Sequence, residues 1–148
     1  MRLAKNISFY IILAFVVCLI SRYLESDFLF EYLIENIIGL LLTLLAINTA
    51  TLGLIASKIQ DVLEKHPTMS FKNTISEMKF SLTEQVVLIT VSVVSLVLSD
   101  SEIINFEHKQ FALNTVLVSV LIYSVSILWD TGKAVFVILD LIEKQNKK

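Results

Sequence analysis

From Ile37 to Ala56 the chain carries no charged residue. At about 1.5 Å per residue this run matches the roughly 30 Å hydrocarbon core of a bilayer, so it predicts a membrane-spanning helix. Small side chains recur along it at Gly39, Thr43, Ala46, Ala50, Gly53 and Ser57. Their alternating spacing of four and three puts all six on one helix face, a pattern that serves close helix contact, either with a second copy of the chain or with the third helix of the same chain. Asn48 falls on the opposite side with Leu44, Leu52 and Ile55. A bare amide facing lipid costs about 1 kcal/mol or more, so this side also calls for a protein neighbour and the helix is expected at the centre of the fold. The helical pattern continues through Ser57 to His66, with Ile59, Val62 and Leu63 on one side and Lys58, Gln60, Asp61, Glu64 and Lys65 elsewhere, and stops at Pro67.

The remaining elements follow from the same pattern. Arg2 and Lys5 precede an apolar run from Ile7 to Ile20. That is the layout of a signal peptide or of a first span; no Ala-x-Ala site follows and Val17 suits a lipoprotein cleavage box poorly, which favours a retained span closed by Arg22 and Tyr23. Glu25, Asp27, Glu31 and Glu35, with Phe28, Phe30 and Tyr32, suit an interfacial hairpin. A third helix is expected to start at Ser70 or Thr74, the latter with Glu77 at capping-box spacing. Phe71, Ile75, Met78 and Leu82 line one side of it, and its span, Leu82 to Leu98, bears a polar line of Gln85, Ser92, Ser95 and Ser99 fit to pack on the small face of the second helix. The fourth span, Phe111 to Trp129, is punctuated by Asn114, Thr115, Ser119, Tyr123, Ser124 and Ser126, and an amphipathic continuation follows Asp130. The predicted architecture is one all-α domain over 1–148, an integral membrane four-helix bundle with spans at about 7–23, 36–57, 82–99 and 111–130 and helical extensions at 57–81 and 131–146.

Composition agrees with this class. Of 148 residues 55% are hydrophobic and 18% charged, and the mean hydropathy is +0.76, outside the range of ordinary soluble domains. A net charge of -2 with no basic stripe argues against direct nucleic-acid binding. Cys18 is the only cysteine, so no internal disulfide forms. With the N-terminus in the cytoplasm, ten of the twelve lysines and arginines fall inside and only Arg22 and Lys109 outside, so both termini and all three overrunning helices are expected on the cytoplasmic side.

No catalytic or cofactor-binding constellation can be assembled. His66 and His108 fall on opposite sides of the membrane, and there is no metal-ligand pair, phosphate loop or Ser/His/Asp set. Asn48, Ser92, Ser95 and Ser119 read either as the lining of an ion or water pathway or as packing groups whose hydroxyls bond back to their own helices. Asp130 and Lys133 read as a surface pair one turn apart or a ring of charge about an oligomer axis, and Glu84 as a partner for Lys133 or Lys79. Ile59, Val62, Leu63, Phe71, Ile75 and Met78 form apolar stripes on the extensions that need further partners, supplied by other copies or by a soluble protein.

The architecture resembles small four-span membrane proteins of bacterial phage-defence systems, such as the membrane protein of the Rex exclusion system and the membrane subunit of the Kiwa system. The matching features are the cytoplasmic termini, the run NIIGLLLTLLAINTATLGLIASKIQDV continuing past the membrane, and the lysine-bearing hairpin before the third span. It is a likeness of architecture and carries over no functional residue. It implies either a pore that depolarises the membrane on infection or a platform that senses infection and holds a cytoplasmic effector.

The sequence therefore predicts a non-enzymatic, homo-oligomeric protein of the bacterial inner membrane. Its expected partners are lipid, copies of itself and a soluble cytoplasmic effector; its expected task is to sense a membrane disturbance and relay it. A channel-forming effector and an assembly or regulatory subunit of a larger membrane complex are the alternatives.

Overall fold

The structure, a computed structural model, describes the backbone of residues 2–65, 67, 69–103 and 107–146 and the side chains of those between 7 and 140. Among them the chain forms four helices: α1 (Arg2–Tyr23), α2 (Phe28–Lys65), α3 (Lys72–Asp100) and α4 (Lys109–Asn146). Three of these, α2, α3 and α4, are long and apolar enough to cross a membrane. α1 is 22 residues long, about 33 Å, and its side chains are described from Ile7 onward.

The element boundaries depart from expectation at two helix starts. Residues 28–35 are not a hairpin but the first two turns of α2, and the link between α1 and α2 is only Leu24 to Asp27. It is tight because α1 ends in a Schellman motif: Ser26 N–H donates to Ser21 C=O and Glu25 N–H to Arg22 C=O, with Glu25 at φ 50° in the left-handed position. Ser21 Oγ donates to Ser26 C=O at 2.6 Å and fastens the turn further. The Asp27 carbonyl then accepts from Phe30 and Glu31 and opens α2. At α3 the cap is Phe71, without a side-chain bond; Thr74 lies inside the first turn, so the expected capping box is not the start of the helix.

α4, not α2, is the hub. It packs on α1, α2 and α3, whereas α2 packs extensively on α3 and α4 only. α1 is anchored along the outer flank of α4, Tyr10 beside Ser126 and Phe15 beside Phe111. The result is an α2–α3–α4 triangle with α1 on its outside rather than a square bundle.

Polarity is inverted relative to a water-soluble fold. α3 buries Gln85, Ser92 and Ser95 and exposes Val86, Val87, Val91, Val93, Val94 and Val97. α1 turns Ala14, Cys18 and Ser21 inward and Ile12, Phe15, Leu19 and Ile20 outward. Small and hydroxyl-bearing side chains let helix backbones approach closely, while the large apolar ones of α1 and α3 point outward.

Candidate functional site

α2 has two opposed faces. Phe30, Leu33, Ile37, Leu41, Asn48, Leu52, Ile55, Ile59 and Val62 form one unbroken buried stripe. Gly39, Thr43, Ala46, Ala50, Gly53 and Ser57 lie diametrically opposite, and all six are exposed. A Cβ placed on Gly39 or Gly53 would meet no atom within 4 Å, so among the described residues nothing packs on this face. The alternative in which the third helix covers it is thereby corrected. α3 does bring its polar line inward, but to the Asn48 side of α2, because there the bulky leucines and isoleucines also find cover.

Asn48 is fully buried and joins α2 to α3. Its Nδ2 donates to Gln85 Oε1 at 3.0 Å and to Ser81 Oγ at 3.2 Å. Asn48 Oδ1, Gln85 Nε2 and the hydroxyls of Ser92 and Ser124 have no partner among the described residues. Ser95 is buried as well, and Ser119 donates back to Thr115 C=O at 2.7 Å. Asn48, Ser92 and Ser95 therefore lie inside one protomer, where no axis shared with a neighbouring copy can pass; a pore lined by them through oligomerisation is not the arrangement seen.

The extensions of α2 and α4 close on each other and on the start of α3. Ile59, Val62 and Ile138 are buried, and Leu63, Phe71 and Met78 are half-buried against the same apolar cluster. Of the six residues assigned to a soluble partner, only Ile75, 41% exposed, points away. The stripes cover one another in part, while on the α4 extension Phe136, Val137 and Leu139 stay exposed, so the extensions keep apolar surface that they do not cover themselves. His66 lies outside the described residues.

A second cluster gathers where α1, α3 and α4 meet. The rings of Tyr10 and Tyr123 stack with centroids 5.2 Å apart, Tyr123 Oη donates to Glu84 Oε1, and the hydroxyls of Tyr10 and Ser126 share a hydrogen bond. Glu84 thus meets a tyrosine rather than Lys133 or Lys79. Lys133 instead pairs with Asp130 at 3.0 Å on the exposed side of α4 and lies over the Trp129 ring. Beside the cluster a cleft of about 310 Å³ is bordered by Glu77, Ser81, Glu84, Asp130 and Thr131. Among the described residues no three His, Cys, Asp or Glu side chains gather into a metal site. Sequence reasoning missed the cluster because its members lie on three helices and no spacing rule connects them; the only signal was a carboxylate, Glu84, just inside an apolar span.

Compared with known protein families, curated proteins and solved structures, the chain matches none.

Proposed function

We propose that the chain is a non-enzymatic, self-associating protein of the bacterial inner membrane that responds to a disturbance of the bilayer and relays it to a cytoplasmic effector, in phage defence. The observation that carries the reading is the bare small-residue face of α2. It runs about 27 Å, from Gly39 to Ser57, along a helix long enough to span a bilayer. Small-residue faces of this kind let two helices approach until their backbones touch, and in a bilayer that contact is a main source of association. A second copy offers the complementary face by symmetry. The inverted polarity supports the membrane setting, and the positive-inside balance supports cytoplasmic termini.

Because Ile59 and Val62 are buried within the stalk, the relay to an effector would pass through its outer surface, around Ile75, Phe136 and Val137 and the charged side chains beside Ile75, such as Lys72 and Lys79.

Native mass spectrometry of the gently solubilised protein, pulled from its own host, tests the reading. Wild-type chain should run as multiples of 16.7 kDa together with a soluble second protein. The double variant Gly39→Leu, Gly53→Leu should fold but run as single chains, since the added side chains meet empty space in the protomer. Wild-type protein that is monomeric and alone would overturn the proposal.

A further inference from the structure

α1 and α3 both lean on α4 without closing over it, and between them runs a groove of about 450 Å³ floored by Val116, Ser119 and Val120. Its walls are Ile7 and Ile11 on one side and Val87 and Val91 on the other. The hydroxyls along it are spent on their own helices: Thr83 on Lys79 C=O, Thr115 on Phe111 C=O and Ser119 on Thr115 C=O. From Tyr123 to Thr115 the floor rises about 12 Å, close to the roughly 15 Å depth of one leaflet's hydrocarbon. The trough therefore has the length and character of a lipid chain.

One end is different. There the groove meets the cleft of Glu77 and Asp130, and the residues shared by the two are Tyr10, Phe80, Glu84 and Tyr123. Glu84 uses Oε1 to accept from Tyr123, while its other oxygen has neither a hydrogen bond nor an ion pair among the described residues. Two stacked tyrosine rings stand beside it, and ring faces attract cations. Lys133, the cation next to the cleft, is already held by Asp130. Among the described residues this end thus offers carboxylate without a matching cation, a demand for positive charge with hydrogen to donate.

We infer that the groove binds a phospholipid with a primary ammonium headgroup, one acyl chain lying between α1 and α3 and the ammonium donating to Glu84 beside Tyr10 and Tyr123. Charge complementarity selects the headgroup: an anionic head would meet Glu77, Glu84 and Asp130, and a quaternary ammonium has no N–H for the carboxylate. The inference rests on the chain lying in a bilayer, as proposed above, and is independent of its self-association. It also gives the sensing role a concrete input, because the lipid's presence sets how α1 and α3 are held apart.

The test is native mass spectrometry of the full chain extracted from vesicles of phosphatidylethanolamine, phosphatidylcholine and phosphatidylglycerol with identical acyl chains. Wild-type protein should retain phosphatidylethanolamine in preference to both others. Glu84→Gln, in which Tyr123 keeps an acceptor, should lose that preference by about tenfold, the worth of one charge-assisted hydrogen bond. Val116→Trp should fill the trough and lose bound lipid of every headgroup. Equal retention of the three lipids, retention unchanged in Glu84→Gln, or no bound lipid on wild-type chain would overturn the inference. A second chain lost on filling the trough would overturn it too, making the groove a protein interface. The same spectra report copy number, so failure of self-association is read separately, and chain that stays in solution without detergent would sink the membrane reading itself.

Discussion

Asn48 Nδ2 lies 3.0 Å from Gln85 Oε1, so two primary amides lock α2 to α3 in the interior of the fold, 0% and 3% exposed. The contact fixes the rotation of α2 about its axis. With Asn48 turned in, the face 180° away, from Gly39 to Ser57, has to turn out.

Replacing Asn48 by leucine should leave the Gln85 carbonyl oxygen buried and without its donor, lowering stability by about 1 kcal/mol. Asn48→Leu combined with Gln85→Leu should recover much of that loss, since neither polar group then remains. A double-mutant cycle from unfolding in mixed micelles checks this; strictly additive losses would mean the two amides do not work as a pair.

The stalk offers a paired test. Ile59→Ala removes a buried side chain and should cost about 2 kcal/mol or more, with faster amide exchange across residues 55–63. Ile75→Ala, on the exposed side, should stay within about 0.5 kcal/mol. Equal effects would show that the stalk is not closed on Ile59.

Glu25 occupies a left-handed backbone position that favours glycine. Glu25→Gly should raise stability by about 1 kcal/mol, provided Ser26 N–H keeps its bond to Ser21 C=O. The denaturation midpoint measures it, and a fall would mean that the Glu25 side chain itself supports the turn.

Asp130 and Lys133 are exposed, 3.0 Å apart and one turn apart on α4. Asp130→Asn should change stability by less than about 0.5 kcal/mol, and the difference should shrink with added salt. A large, salt-resistant loss would indicate that the pair is covered in the assembled protein.

Much of this was legible in the residues. Helix existence and length came from apolar runs and their period: the third helix, expected to start at Ser70 or Thr74 and to run through a span ending at Leu98, is Lys72–Asp100. The pairing of Asp130 with Lys133 followed from their spacing; back-bonding by span hydroxyls is seen at Thr115 and Ser119 but not at Ser92 or Ser124, whose hydroxyls have no partner among the described residues. What escaped was which face meets which. Gly39 to Ser57 and the Asn48 side both read as contact surfaces, and only the tertiary arrangement decides that the bulky stripe is satisfied within the protomer. The start of α2 escaped because Glu31 and Glu35 look like loop residues in one dimension, although both are exposed on the outside of a helix whose Phe30, Leu33 and Ile37 turn inward. Thr74 and Glu77 had the letters of a capping box, but the chain already turns at Phe71. Tyr10, Glu84 and Tyr123 had no legible relation at all, since nothing local ties them.

Tyr10 and Ser126 bond across 116 positions of sequence, and that separation sets an order of assembly. Synthesis at about 5–20 residues per second puts roughly 6–23 s between the emergence of the two. Of the four helices, the one made first therefore cannot be locked until the one made last has emerged. During that interval α1 is tethered by the short turn at Leu24 to Asp27 while its main docking surface does not yet exist, and the finished protein inherits the asymmetry: α1 is the helix whose detachment disturbs the α2–α3–α4 triangle least.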